Sequence, residues 1–172
     1  MHDDRLGNML GAAALAVSDL MLARVRAAAG VGASAAAALV VLAHATELSV
    51  TELGRRVGLS QPAAARMVDS LAAAGLARRG AGRGRTVPVR LTPAGRRAVR
   101  GALAARTEGL SAVLADLDSD DRGHLTALLE RLLTRLYDEV GDADLLCRLC
   151  DRAGCTGSGT CPVGAAERNR AG

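Results

Sequence analysis

Residues 49–75 read SVTELGRRVGLSQPAAARMVDSLAAAG, and this stretch decides the fold. Ser49 followed three residues later by Glu52 has the pattern of a capping box, in which Glu52 reaches back to the Ser49 backbone N–H. The helix it opens carries Leu53 and Val57 and stops near Gly58. After a turn at Leu59, Ser60 caps a second helix whose first turn tolerates Pro62. That helix runs through Met67, Val68 and Leu71 to a stop at Gly75. Two short helices joined by a tight turn hold the second at an angle that lets its first side chains enter a DNA major groove.

The segments on either side complete the pattern. ARRGAGRGRTVPVRL, residues 77–91, has two β-prone ends around Gly80, Gly82 and Gly84 and reads as a hairpin with an Arg-bearing tip. Pro88 predicts that its second strand lies at an edge. Thr92-Pro93 opens a further helix with Pro at the first helical position. Ser119, followed by Asp120 and Asp121, opens another, with an apolar stripe of Leu125, Leu128, Leu129, Leu132, Leu133 and Leu136. Toward the N-terminus, Leu6, Met9, Leu10, Leu15, Val17, Leu20, Met21 and Val25 give residues 5–29 the spacing of an amphipathic helix, broken only by Gly7 and Gly11. Gly30 and Gly32 stop it, and Ser34 caps a helix running to about His44. Past about Cys150 the glycine content rises and the pattern reads as a loop-like tail.

The expected architecture is mainly α: a winged helix-turn-helix with a small β-hairpin wing and long helices attached at both ends. Residues 1–33 and 101–146 are expected to carry dimerisation helices. Residues 34–100 form the DNA-binding unit, and 147–172 a Cys-rich tail. Composition agrees with helices. The chain has 172 residues, no Trp, no Phe, and Tyr137 as its one aromatic, with 36 Ala. Such a core suits closely packed helices better than a β-sandwich, and it excludes base stacking on aromatic platforms.

Charge points to an anionic partner. All 22 basic residues are Arg, and between Arg55 and Arg106 twelve Arg stand against the single acid Asp69. Guanidinium suits bidentate phosphate and guanine contacts. On the second helix of the pair, Gln61 can pair with adenine and Arg66 with guanine or phosphate. Ser60 marks a helix N-terminus with free N–H groups for phosphate. Ala63, Ala64 and Ala65 allow close approach, and a methyl among them can meet a thymine methyl. Arg83 and Arg85 on the glycine-rich tip suit a narrow minor groove, although charge runs often form only a solvated face. GAGRGR is not a phosphate loop of the nucleotide-binding kind, because no Gly-Lys-Ser/Thr follows it and the chain has no Lys.

LSVTELGRRVGLSQPAAARMVDSLAAAGLARR (48–79) followed by VPVRLTPAGRRAV (87–99) resembles the MarR family of bacterial transcriptional regulators. The likeness covers roughly residues 5–145 and is most specific in GLSQPAAARMVDSLAAAGL and RLTPAGR. It implies a homodimer with interlocked terminal helices, two winged lobes on a pseudo-palindromic duplex, and release by a small-molecule or redox signal. It also implies DNA contact by Ser60, Gln61 and Arg66, with Arg85 as the wing arginine. Three departures stand out. Arg83 takes the place of the usual wing Asp, which helps hold the loop, so a stronger phosphate contact is expected there instead. Ala63 and Ala65 replace frequent hydroxyls, so fewer direct base hydrogen bonds are expected. The aromatic residues that often line the effector crevice are largely missing, which argues against an aromatic effector.

Cys147, Cys150, Cys155 and Cys161 are the only cysteines, spaced by two, four and five residues. This clustering suits one four-thiolate metal centre, zinc first. An iron–sulfur cluster accepts the same ligands, and Pro162 after Cys161 is in keeping with ferredoxin-type loops. Redox-switching or unliganded thiols on a disordered tail are the plainer alternative. Such a tail also departs from typical family members, which end soon after the last helix. Asp3 and Asp4 stand before the apolar run Met9–Val17, which argues against a signal peptide and for a cytoplasmic chain without a membrane segment. A reducing compartment argues against structural disulfides.

His2, His44 and His124 read as bystanders. Asp116, Asp118, Asp120 and Asp121 read as a loop-and-cap cluster, with a weak cation site as the lesser reading. No catalytic constellation stands out, so no enzyme is expected. The leading expectation is a homodimeric DNA-binding regulator, a repressor, tuned by a metal centre on the four cysteines. The alternative is a metal- or redox-sensing interaction module with little specific DNA binding.

Overall fold

A computed structural model describes residues 2–45, 47–80, 87–157 and 159–171. The chain runs α1 (His2–Ala29), α2 (Ala33–His44), β1 (Leu48–Ser49), α3 (Val50–Arg56), α4 (Gln61–Ala73), β2 (Ala77–Arg79) and β3 (Pro88–Leu91). It continues through α5 (Pro93–Val113), α6 (Ser119–Val140), α7 (Ala143–Leu146), α8 (Arg152–Thr156) and α9 (Pro162–Ala171). The fold is mainly helical with a small antiparallel sheet, as read from the sequence.

Helix α2 sits at the centre. Every residue from Ala36 to Leu42 is buried, so this helix has no solvent stripe and is a core element. Around it gather Val25 of α1, Leu53 of α3, Val68 and Leu71 of α4, Val89 and Leu91 of β3, Val99 and Ala102 of α5, and Leu149. Helix α1 packs along α5 through its second half, while Leu6, Met9, Leu10 and Leu15 in its first half lie open.

Several helix starts depart from expectation. Gly7 and Gly11 do not interrupt α1, which is continuous. The N-cap of α2 is Gly32, without a side-chain cap, and Ser34 falls inside the first turn. Asp118, rather than Ser119, caps α6 by accepting from the Asp121 N–H at 2.9 Å. Half of the predicted capping box forms: the Ser49 hydroxyl accepts from the Glu52 N–H at 3.1 Å, but the Glu52 carboxylate turns to Arg55 and Arg56. Thr92 behaves as read, accepting from the Gly95 N–H at 3.0 Å with Pro93 behind it.

The sheet corrects the reading of Pro88. Strand order is β1-β3-β2, so β3 is central. Pro88 is tolerated there because it is the first residue of the strand, where a missing N–H breaks no interior ladder bond. Its carbonyl accepts from the Gly80 N–H at 2.7 Å. The neighbour that makes β3 central, β1, is two residues long and pairs Leu48 with Val89 and Ser49 with Pro88.

The C-terminal segment is also corrected. In place of a loop-like tail, residues 143–171 form three helices, with Leu149 and Val163 buried. Helix α9 packs on α6, where the Arg170 guanidinium lies 6.0 Å from the centre of the Tyr137 ring.

Candidate nucleic-acid interface and the cysteine cleft

The paired helices α3 and α4 meet where neither has bulk. A Cβ on Gly54 would lie 2.6 Å from the Cβ of Ala64, so only glycine lets α4 approach this closely. Gly58, at φ +71, makes the turn between them, and the Leu59 N–H bonds back to the Gly54 carbonyl at 2.9 Å. The predicted DNA-facing residues divide accordingly. Ser60, Gln61 and Arg66 are exposed, and Ala63 is half-buried.

Ala64 is a correction. It has no exposed surface and belongs to the α3–α4 contact, not to a DNA-facing surface. Its spacing with Val68 and Leu71, at i, i+4 and i+7, carried that signal in the sequence. Ser60 stands at the N-cap of α4, but its side chain makes no cap hydrogen bond. Arg83 and Arg85 lie outside the described residues.

Charge around α4 is cleared for an anion. Asp69, the only acid of the basic stretch, is held by Arg79 at 2.7 Å. Arg66 has no ion-pair partner among the described residues. Arg78 and Arg90 face each other directly across β2 and β3, a like-charge pairing that costs stability unless an anion relieves it. Glu47 pairs with Arg90 and relieves part of it. Arg78, Arg90 and Arg96 then line one cleft with His44.

Helix α3 is different. Glu52 holds Arg55 at 3.0 Å and Arg56 at 2.8 Å. Asp142 reaches Arg55 at 2.7 Å, and Asp144 reaches Arg55 at 3.2 Å and Arg56 at 3.3 Å. Hydrogen bonds from Arg55, then Arg56, hold the Glu52 carboxyl down at about 2. Asp142 and Asp144 belong to the segment that carries the cysteines.

All four thiols line one cleft of about 230 Å³ between α7, α8 and α9. Cys147 follows α7, and the Cys150 N–H bonds to its carbonyl at 2.9 Å, a tight turn that brings the two thiols together. Cys155 is on α8. Cys161 precedes α9, and its sulfur accepts from the Gly164 N–H at 3.4 Å, a cap on that helix. The Cys150 thiol, donating to Cys147, holds Cys147 below the usual thiol range. The same bond, then burial, pushes Cys150 well above that range, and burial followed by the Cys150 and Cys161 charges pushes Cys155 up to about 11. Among the described residues, no three His, Cys, Asp or Glu are already closed around an ion position.

His44, read as a bystander, has its Nε2 3.3 Å from the Cys150 carbonyl and so ties α2 to this segment. Arg106 of α5 lines an adjoining cavity of about 260 Å³ with all four cysteines. Its Nε is buried without a hydrogen-bond partner among the described residues. Nothing in the linear spacing tied Arg106 to the cysteines.

Exposed apolar side chains gather chiefly on two helices. Leu6, Met9, Leu10 and Leu15 stand out on α1, and Leu128, Leu129, Leu132, Leu136 and Val140 on α6. By length and composition α1 could cross a membrane. However, Val25 and Ala29 are buried in the core and Met21 and Leu22 pack against it, so the C-terminal half of α1 belongs to the folded unit.

The model of the MarR family matches residues 29–85. Among solved structures, a probable transcriptional regulator from Pseudomonas aeruginosa is 30% identical, with 77% of this chain and 99% of that one covered and a TM-score of 0.57. A MarR family protein from Mycobacterium tuberculosis is 25% identical, with 76% and 95% covered and a TM-score of 0.62. A MarR family transcriptional regulator from Silicibacter pomeroyi is also 25% identical, with 69% and 84% covered and a TM-score of 0.53. Among curated proteins there is no match.

Proposed function

This chain belongs to the MarR family of DNA-binding transcriptional regulators, and from that premise we propose that it is a cytoplasmic homodimeric repressor of a pseudo-palindromic operator. One observation carries the reading. Helix α4 turns Ala64, Val68 and Leu71 into the core and leaves Ser60, Gln61 and Arg66 open on a surface whose only acid is already paired. Gln61 and Arg66 then read base edges and the α4 N-terminus takes a phosphate; Arg83 and Arg85, in the glycine-rich stretch between β2 and β3 in sequence, are expected to add a minor-groove contact.

The second copy is called for by exposed leucine. Contiguous apolar surface on α1 and α6 is costly in water, and both helices lie outside the helix-turn-helix. Pairing these faces between two chains buries them and presents α4 twice, about one helical turn of DNA apart. A dimer seated across successive major grooves over a promoter excludes polymerase, which supports repression. Any effector acts by changing the spacing of the two α4 helices.

The test begins with selection from a random duplex library, followed by titration of the recovered duplex. Arg66→Ala is expected to weaken binding by about 5–150-fold and to relax preference at one base position. Arg85→Ala is expected to weaken all duplexes alike and to lower the salt slope by about one. Leu132→Asp is expected to leave a folded monomer that has lost the selected duplex. If no duplex is recovered by the folded dimer, the reading is overturned in favour of a metal- or redox-sensing interaction module.

A further inference from the structure

We propose that Cys147, Cys150, Cys155 and Cys161 form one four-thiolate metal centre that fastens the C-terminal segment to the helix-turn-helix. The ligand set comes first. Every cysteine of the chain lines one cleft, and all four are free thiols. Four thiolates in a short segment are the donor set of a structural zinc ion or of an iron–sulfur cluster.

The segment also needs the stabilisation that a metal supplies. Helices α7, α8 and α9 have 4, 5 and 10 residues, too short to be stable alone. Between Ala143 and Arg170, Leu149 and Val163 are the only buried hydrophobics among the described residues. Binding free energy of a structural metal is folding free energy for such a segment. The four thiols share the cleft without yet enclosing an ion position, so loading tightens the segment that carries them.

Arg106 supplies an independent sign. A buried guanidinium nitrogen without a partner is expensive and calls for an anion. A divalent ion with four thiolates is a dianion, as is the usual oxidised four-iron cluster on four thiolates. Arg106 lines the cavity on one side of the cysteines and Arg152 the cleft on the other, where they offset that charge and donate to sulfur.

The centre is wired to the DNA-binding unit. Asp142 and Asp144, just before Cys147, hold Arg55 and Arg56 of α3. The Leu145 side chain reaches to 3.1 Å of where a Cβ on Gly58 would stand, at the α3–α4 turn. Leu149, between the first two ligands, is part of the core, and His44 meets the Cys150 carbonyl. Loading therefore stiffens the platform from which α4 projects. This last step rests on the DNA-binding reading above; the metal centre does not.

The full-length chain, purified anaerobically, is analysed for zinc, iron and acid-labile sulfide, then stripped with a chelator and titrated with Co²⁺. One centre per chain is expected, with thiolate charge-transfer absorption in a near-ultraviolet window left clear by the near-absence of aromatics. Zinc without sulfide identifies a single ion, and iron with sulfide a cluster, on the same ligands. Cys150→Ser and Cys161→Ser are each expected to weaken Co²⁺ binding by about 100-fold or more, and Arg106→Gln by about 10-fold. A metal-free protein whose Co²⁺ binding is the same in wild type and in Cys150→Ser overturns the centre, whatever the folding of the variants. Loaded dimer is expected to bind duplex about 5–150-fold tighter than stripped dimer. Equal affinity in both forms overturns the coupling alone. No duplex binding by either form overturns the DNA reading and leaves the metal centre standing.

Discussion

Helices α3 and α4 touch at Gly54 and Ala64, yet their arginines have opposite surroundings. On α3, Arg55 and Arg56 are held by Glu52, Asp142 and Asp144. On α4, Arg66 is exposed, and the nearby acid Asp69 belongs to Arg79. The residue type is the same and the positions are about ten apart, but one pair is a structural clamp and the other side chain is open for a ligand. A run of positive charge is therefore not a binding surface until its acids, near and far, have been placed.

The contact itself is the most sensitive point. Gly54→Val forces a branched side chain into the space of Ala64, where overpacking costs about 1–3 kcal/mol. For a chain of this size each kcal/mol moves the melting temperature by about 2–4 °C. A loss of roughly 2–12 °C in a thermal melt followed by circular dichroism is expected, with loss of duplex binding. An unchanged melt would mean that α3 and α4 do not meet there.

The contrast between the arginines gives the next effect. Arg66→Ala is expected to leave the melt within about 0.5 kcal/mol of wild type while duplex binding falls. Arg55→Ala does the reverse: it breaks an exposed ion-pair network at about 1 kcal/mol or less and leaves base preference in place. Melts and titrations of both variants side by side check this, and an exchange of the two outcomes would erase the distinction.

The smallest effect is in pH. Glu52 has a folded pKa near 2, below its ordinary value of 4.5, set by Arg55 and Arg56, with Asp142, Asp144 and Arg152 around them. A depressed carboxyl contributes stability that is complete above the unfolded pKa and is lost as the pH falls from about 4.5 through about 2. Solvent screening of these partly exposed groups keeps the contribution under about 1 kcal/mol. Glu52→Gln is expected to flatten that part of the stability–pH curve, measured by urea melts at successive pH values.

Strong local signals were legible in the sequence. Thr92-Pro93 and the stops at Gly58 and Gly75 each act within one turn, and the structure keeps them all. What was hidden depends on distant partners. Two residues of β1 carry no periodicity, so the central place of β3 and its Pro88 could not be read. Helix α9 has no apolar stripe of its own and is fixed by Val163 and by Arg170 over Tyr137. The clustering of the cysteines was plain from spacing. Their neighbours Arg106 and His44 come from α5 and α2, over forty residues away in the chain, where no local pattern reaches.

In the proposed function, two copies of this chain present α4 to duplex DNA through arginines left open. The most direct test titrates a labelled selected duplex with the full-length protein across a salt series and fixes the stoichiometry by sedimentation. Two chains per duplex are expected, with an affinity that falls steeply as salt rises and log K linear in log salt. One chain per duplex, or an affinity indifferent to salt, would contradict it.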